Sequence, residues 1–235
     1  MFNAGMRVSQ RGSLAVLAAT TVAALVPASA GARIIEIGQM AQPTPPSCPT
    51  NPCQAVSRTT GYQAKVGTRR GLMAAPADGK IVAWSITLGS PGKRQIKFFN
   101  DNYGGASQAG ISILKPGTKL FHRVLGQSPM QSLQPYFGTT VQFPLSTALN
   151  VKKGQVIGLT VPSWAPALAL GMGNDTSWRA SRARGNCAEP GTQSAQLDLR
   201  DLAQYRCLYR TARLTYSATL ITTPKPPKPA KPAKG

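Results

Sequence analysis

From residue 54 to residue 222 most of the chain is written in short apolar, β-branched runs that Gly, Pro, Asn and Asp cut apart. Runs of that length suit strands bounded by turns better than they suit helices. The clearest covers residues 79–88. There Val82, Trp84, Ile86 and Leu88 alternate with Ile81, Ala83, Ser85 and Thr87, behind an Asp78-Gly79 turn. A period of two predicts a half-buried strand with Trp84 turned inward. The same reading places strands at residues 54–63, 93–100, 110–115, 119–125, 139–143, 155–161 and 213–222, with a shorter one at 33–37. Residues 100–105 read as a turn-rich loop. One segment breaks the pattern: residues 193–205 carry no Gly or Pro and set Leu197, Leu199 and Leu202 among polar groups, which predicts a short helix. The expected fold is mainly all-β, an antiparallel β-sandwich or jelly roll with one short helix near its C-terminal end.

The ends read differently. Arg7 and Arg11 precede an uncharged apolar run at residues 14–26, and Ala28-Ser29-Ala30 is a small-x-small cleavage site before Gly31. This is the pattern of an export signal over residues 1–30, and the apolar run is too short for a membrane-spanning helix. Residues 31–47 are expected to be an irregular N-terminal segment, residues 48–222 the β-sandwich domain, and residues 223–235 a Lys-Pro-rich disordered tail. Proline fixes φ and the tail lysines repel one another, so the tail should be extended and solvated.

Four cysteines in an exported chain imply disulfides. Cys48 with Cys53 and Cys187 with Cys207 is the favoured pairing, since each pair is local in the chain. Their spacing does not match a zinc ribbon. The formal charge is +20, and removing the signal, which holds two arginines and no acid, leaves +18. Such a charge speaks to partners, not to fold. No nucleic-acid motif accompanies it, so specific nucleic-acid binding is not expected. An anionic cell-wall polymer or glycan is the expected partner, through salt-sensitive attraction.

Chemistry is constrained by what is scarce. There is one histidine, His122, expected to point outward from a strand, and there are seven carboxylates. Glu36 precedes the expected domain, and Asp78, Asp101 and Asp175 fit turns. Asp198 and Asp201 would share a helix face beside Arg200 and Arg206. No loop of alternating acids surrounds Asp101 to hold calcium. The chain is therefore read as non-enzymatic, with no cofactor or metal. A hydrolase, the distant alternative, would need a cleft that joins two acids, or His122 and an acid.

Trp84 and Trp164 are expected in the core. Trp178 is followed by Arg179, Arg182 and Arg184. An aromatic ring beside guanidinium groups can stack on a sugar and hold an anion, so these four form the candidate binding face.

Several stretches carry a resemblance to a known group: Asn51-Pro-Cys-Gln-Ala-Val, Gly61-Tyr-Gln, Asp78-Gly-Lys-Ile-Val-Ala-Trp, Gln95-Ile-Lys-Phe-Phe-Asn-Asp, Gly126-Gln-Ser-Pro, Leu159-Thr-Val-Pro-Ser-Trp-Ala-Pro and Tyr209-Arg-Thr-Ala-Arg-Leu. Over residues 48–222 the chain resembles secreted β-rich proteins of high-GC actinobacteria. The resemblance implies a bacterial secreted β-domain and assigns no site residue. The functional expectation is a secreted, non-catalytic, basic protein that binds an anionic or glycan surface such as the cell wall. The alternative is an envelope-associated structural protein without a specific ligand.

Overall fold

The structure, a computed structural model, describes residues 31–39, 44–183, 185–188 and 194–224. The signal segment, Arg184 and the tail beyond 224 lie outside the described residues. In chain order the elements are β1 (Ile34–Ile37), β2 (Val56–Val66), β3 (Arg69–Arg70), β4 (Gly79–Thr87), α1 (Lys93–Asn102), β5 (Gln108–Pro116), β6 (Phe121–Gln127), β7 (Gln131–Ser132), β8 (Thr140–Val151) and β9 (Val156–Ala165). There follow β10 (Leu168–Ala169), β11 (Ser177–Ala180), β12 (Leu202–Gln204), β13 (Cys207–Arg210), β14 (Arg213–Leu214) and β15 (Tyr216–Thr222).

All the pairings are antiparallel. One sheet runs β1-β15-β4-β8, and the larger runs β12-β6-β5-β9-β2-β11-β13, with β3 beside β2 and β7 beside β5. The chain is an all-β, sandwich-like fold. Its core joins Ile81, Trp84, Ile86 and Phe143 of the smaller sheet to Ile111, Ile157, Leu159 and Val161 of the larger. Tyr216, on β15, crosses between the sheets and donates its hydroxyl to the Ile157 carbonyl at 2.8 Å. In β4 the alternation predicted Trp84 inward, and it is fully buried. Ile81 is buried as well, because a register shift between Ile81 and Ala83 turns the first half of the strand over.

Four expectations are corrected. The sandwich begins at β1 and not at Cys48: Ile34 to Ile37 pair with β15 and form an edge of the smaller sheet. Residues 93–100, expected as a strand, belong to α1. Ile96, Phe99 and Tyr103 recur at helical spacing and pack against Cys48 and Trp164. Gln95 Oε1 accepts the Gly92 N–H at 2.8 Å at the helix start, and Lys97 pairs with Asp101 one turn on at 2.8 Å. The helix is therefore mid-chain, and no helix forms among the described residues of 193–205. There Arg200 takes φ +73°, and the Asp201 carboxylate accepts the N–H groups of Leu197 and Asp198 at 3.1 and 3.0 Å. A turn built by Asp201 outcompetes a helix whose leucines would have nothing to cover. Asp198 and Asp201 thus share a turn, not a helix face. Finally His122 points inward with Val124 while Arg123 and Leu125 point out.

The sandwich depends on bare backbone at Gly79, where a Cβ would lie 2.2 Å from the Ile221 carbonyl oxygen, whereas a Cβ at Gly126 would meet nothing nearer than 3.7 Å. Gly79→Ala should lower stability by about 2–3 kcal/mol, a fall in Tm of roughly 5–10 °C. Gly126→Ala should stay within about 0.5 kcal/mol of wild type. Thermal unfolding of the two variants side by side checks this.

Candidate functional site

The site starts at β2. Gly61 presents backbone without a side chain, and the Trp178 ring lies over it: a Cβ there would sit 2.9 Å from Trp178 Cζ3. β11 is held between β2 and β13, which places Trp178 opposite Tyr209. The two rings stack, with centroids 4.5 Å apart and 24° between planes. Two residues beyond β11, Arg182 turns back over the Tyr209 ring at 5.5 Å. One of its terminal nitrogens donates to the Ser57 carbonyl at 2.7 Å and the other to the Tyr209 hydroxyl. That hydroxyl donates in turn to the Cys187 carbonyl at 2.6 Å. The Cys187–Cys207 disulfide ties this loop to β13.

A cavity of about 870 Å³ opens beside this stack, and Trp178, Arg182 and Tyr209 line it together with Phe98 and Tyr103 from α1 and its end. Its size falls within the usual range for ligand pockets, about 300–1,000 Å³. Cys53 of the Cys48–Cys53 disulfide and Cys187 of the other both border it, so the favoured pairing is the observed one and both bridges brace the cavity. Among the described residues the lining holds no carboxylate and no histidine.

Trp178 is 4% exposed and Arg182 8%. Trp178 Nε1 and Arg182 Nε are buried and have no hydrogen-bond partner among the described residues. Among the described residues the one ion pair is the exposed Lys97–Asp101, so the Arg182 charge has no described carboxylate beside it. Both nitrogens are closed to solvent, so they lie beneath the cavity wall and not on its surface, and the Arg182 charge behind that wall is left without a described counter-charge. Arg213 is also buried, but two of its nitrogens reach the Gly38 carbonyl at 3.1 Å and Thr44 Oγ1 at 3.4 Å, tying β14 to the exit of β1. Desolvation holds its pKa below the usual arginine value.

Of the four residues singled out in the sequence, the fold brings Trp178 and Arg182 together at the cavity. Arg179 alternates to the other side of β11 and donates to the Tyr205 carbonyl at 3.0 Å. Arg184 lies outside the described residues. Trp178 is an inner layer of the wall and not a surface ring; the accessible ring is Phe98, 54% exposed. Tyr209 and Phe98 were missed. Tyr209 stands two residues after Cys207, and that spacing puts both on one strand face, the signal that would have found it. Phe98 needed the helix.

His122 sits apart from this cavity, buried between the Tyr62 and Tyr205 rings at 5.1 and 4.6 Å, with Nδ1 3.1 Å from the Leu120 carbonyl. Among the described residues no helix is long and apolar enough to cross a membrane, and no group of three metal-ligating side chains gathers. No protein-family model, no curated protein and no solved structure matches the chain.

Burial lowers the His122 pKa below its ordinary value of 6.5, and the nearby Arg179 charge adds to this. The fold therefore favours the neutral ring. Above pH 6.5 the ring is neutral both folded and unfolded. As the pH falls below 6.5 the unfolded chain takes up a proton first, so stability declines until the folded-state pKa is passed. This is the single histidine. Urea unfolding from pH 7.5 to pH 5 should show that decline in the wild type, and His122→Gln should flatten it.

Proposed function

We propose that this chain is an exported, non-catalytic binding protein that takes an acidic glycan, or an anionic segment of a cell-wall polymer, in the cavity between α1 and the β11–β13 edge. The observation that carries the reading is Arg182: a guanidinium nearly out of water, on a cavity wall, with no described carboxylate beside it. A carboxylate or phosphate on the ligand would supply the missing counter-charge from the cavity side of the wall. The half-exposed Phe98 and the Tyr103 and Tyr209 rings suit stacking on a sugar face. A described lining without carboxylate or histidine supports binding over hydrolysis. The export pattern at residues 1–30 and the two disulfides support an oxidising, extracellular setting. The +18 charge would raise the rate of encounter with polyanions.

Titration calorimetry with trigalacturonic acid, and with maltotriose as the neutral control, tests the reading. The acidic sugar should bind and the neutral one should not. Arg182→Gln should weaken binding about tenfold or more, and Phe98→Ala, at an exposed helix position that leaves the fold intact, about three- to tenfold. Equal affinity for both sugars, or unchanged affinity in Phe98→Ala, would contradict it. No binding of either sugar would favour a structural role in the envelope.

A further inference from the structure

On the far edge of the larger sheet four leucines face water. Leu199 is 64% exposed, Leu202 53%, Leu197 46% and Leu125 44%. Single exposed leucines are ordinary, but these lie together. Leu202 pairs with Arg123 across β12 and β6, and Leu125 is two residues along β6 on the same face. The pairing continues past the strand, where the Arg200 N–H meets the Val124 carbonyl at 2.9 Å and the Val124 N–H meets the Asp201 carbonyl at 2.9 Å. Leu197 and Leu199 stand on the turn that follows from this edge.

That turn is built to stay in place. Asp201 accepts two backbone N–H groups within it. Gln196 Nε2 donates to the Asp201 carbonyl at 3.0 Å, and the Tyr205 hydroxyl donates to Gln196 Oε1 at 2.5 Å. Arg200 holds φ +73°, a conformation that costs a non-glycine residue about 1 kcal/mol or more. A hydrogen-bonded turn with a strained residue holds two leucines out in water.

The ring around them is basic. Lys115, Arg123 and Leu202 form one row across β5, β6 and β12 on the outer face, since Lys115 pairs with Arg123 and Arg123 with Leu202. Arg123 also fixes the turn by donating to the Arg200 carbonyl at 3.0 Å. Asp198, between the two turn leucines, is the acid the described turn leaves exposed.

We propose that this edge docks on an anionic lipid surface, with Leu197 and Leu199 entering the headgroup boundary and Lys115, Arg123 and Arg200 meeting lipid phosphates. Apolar side chains that reach only the interface, ringed by cations, are the chemistry of peripheral attachment. The charge chooses an anionic bilayer over a neutral one. The leucines and their basic neighbours share no residue with the lining of the Arg182 cavity, so this site stands or falls independently of it.

The test uses the chain from Gly31, which gathers its own contacts over Gly31–Lys225, and oxidised disulfides. Its sedimentation is measured at low salt, with the chain ended at Lys225 so that the later tail lysines are absent, against phosphatidylcholine vesicles and against vesicles containing phosphatidylglycerol. Binding to the anionic vesicles alone is expected. The double variant Leu197→Gln, Leu199→Gln should bind about tenfold more weakly with its Tm retained, and Asp198→Asn about two- to threefold more tightly. Double-variant binding equal to wild type would overturn the proposal, because charge alone would then explain attachment. So would binding to both vesicle types alike, or a wild-type dimer in sedimentation velocity that the leucine variant dissolves, since the leucines would then face a second copy.

Discussion

The wall of the cavity rests on one contact: the Trp178 ring lying flat over the backbone of Gly61. There is no room there for any side chain, since a Cβ would press on the ring and on the Arg179 carbonyl as well. Everything beyond follows by pairing. The ring sets the height of β11 above β2, β11 sets Tyr209 opposite, and Tyr209 gives Arg182 both a ring face and a hydroxyl. A residue with a side chain at 61 would lift the tryptophan and move the guanidinium with it. The glycine lies in the middle of an eleven-residue strand, where it weakens β-pairing, so its retention there is explained by close approach.

The second constraint is electrostatic. With 27 basic and seven acidic residues, the chain has few counter-charges to place. Most of its cations stay in water, where they cost little. Arg182 does not. Two of its nitrogens find neutral acceptors, and the Tyr209 ring offers its electron-rich face, but Nε and the net charge are left over. Arg213 is alike in part: its terminal nitrogens stitch two chain segments together, and its Nε too is buried without a described partner. The difference is in the cavities, since Glu36 helps line the one beside Arg213 and no described carboxylate lines the one beside Arg182. The leucine-bearing turn at 197–201 inverts this arrangement, putting apolar groups in water and cations around them.

Much of the architecture was legible before the structure. Strand alternation around Trp84 and the local cysteine pairs are short-range signals, and each was read correctly; Gly79, read as part of a turn, opens β4 itself and is needed there for close approach. The errors share a cause. Gln95 to Asn100 has strand-like composition, but Ile96, Phe99 and Tyr103 find Cys48 and Trp164 to pack on, and only tertiary contact reveals that. Leu197, Leu199 and Leu202 have helical spacing without a surface to cover, and the Asp201 turn wins. His122 was assigned outward because composition alone cannot say which phase of an alternating strand is inside. Of the site, Trp178 and Arg182 were visible as an aromatic beside arginines. Arg179 was grouped with them because a β-strand sends neighbours to opposite faces and the register was unknown. Tyr209 and Phe98 lie thirty or more residues from Trp178 in the chain, and only the fold unites them.

The central claim is that the Arg182 wall receives an anion. The most direct measurement is the ¹⁵N-resolved spectrum of the side-chain N–H groups as trigalacturonic acid is added to the oxidised chain. The account predicts that Trp178 Nε1–H and Arg182 Nε–H shift together and saturate at one affinity, while Trp84 Nε1–H, deep between the sheets, stays in place. Shifts confined to surface lysine and arginine groups, with Trp178 and Arg182 unmoved, would contradict it.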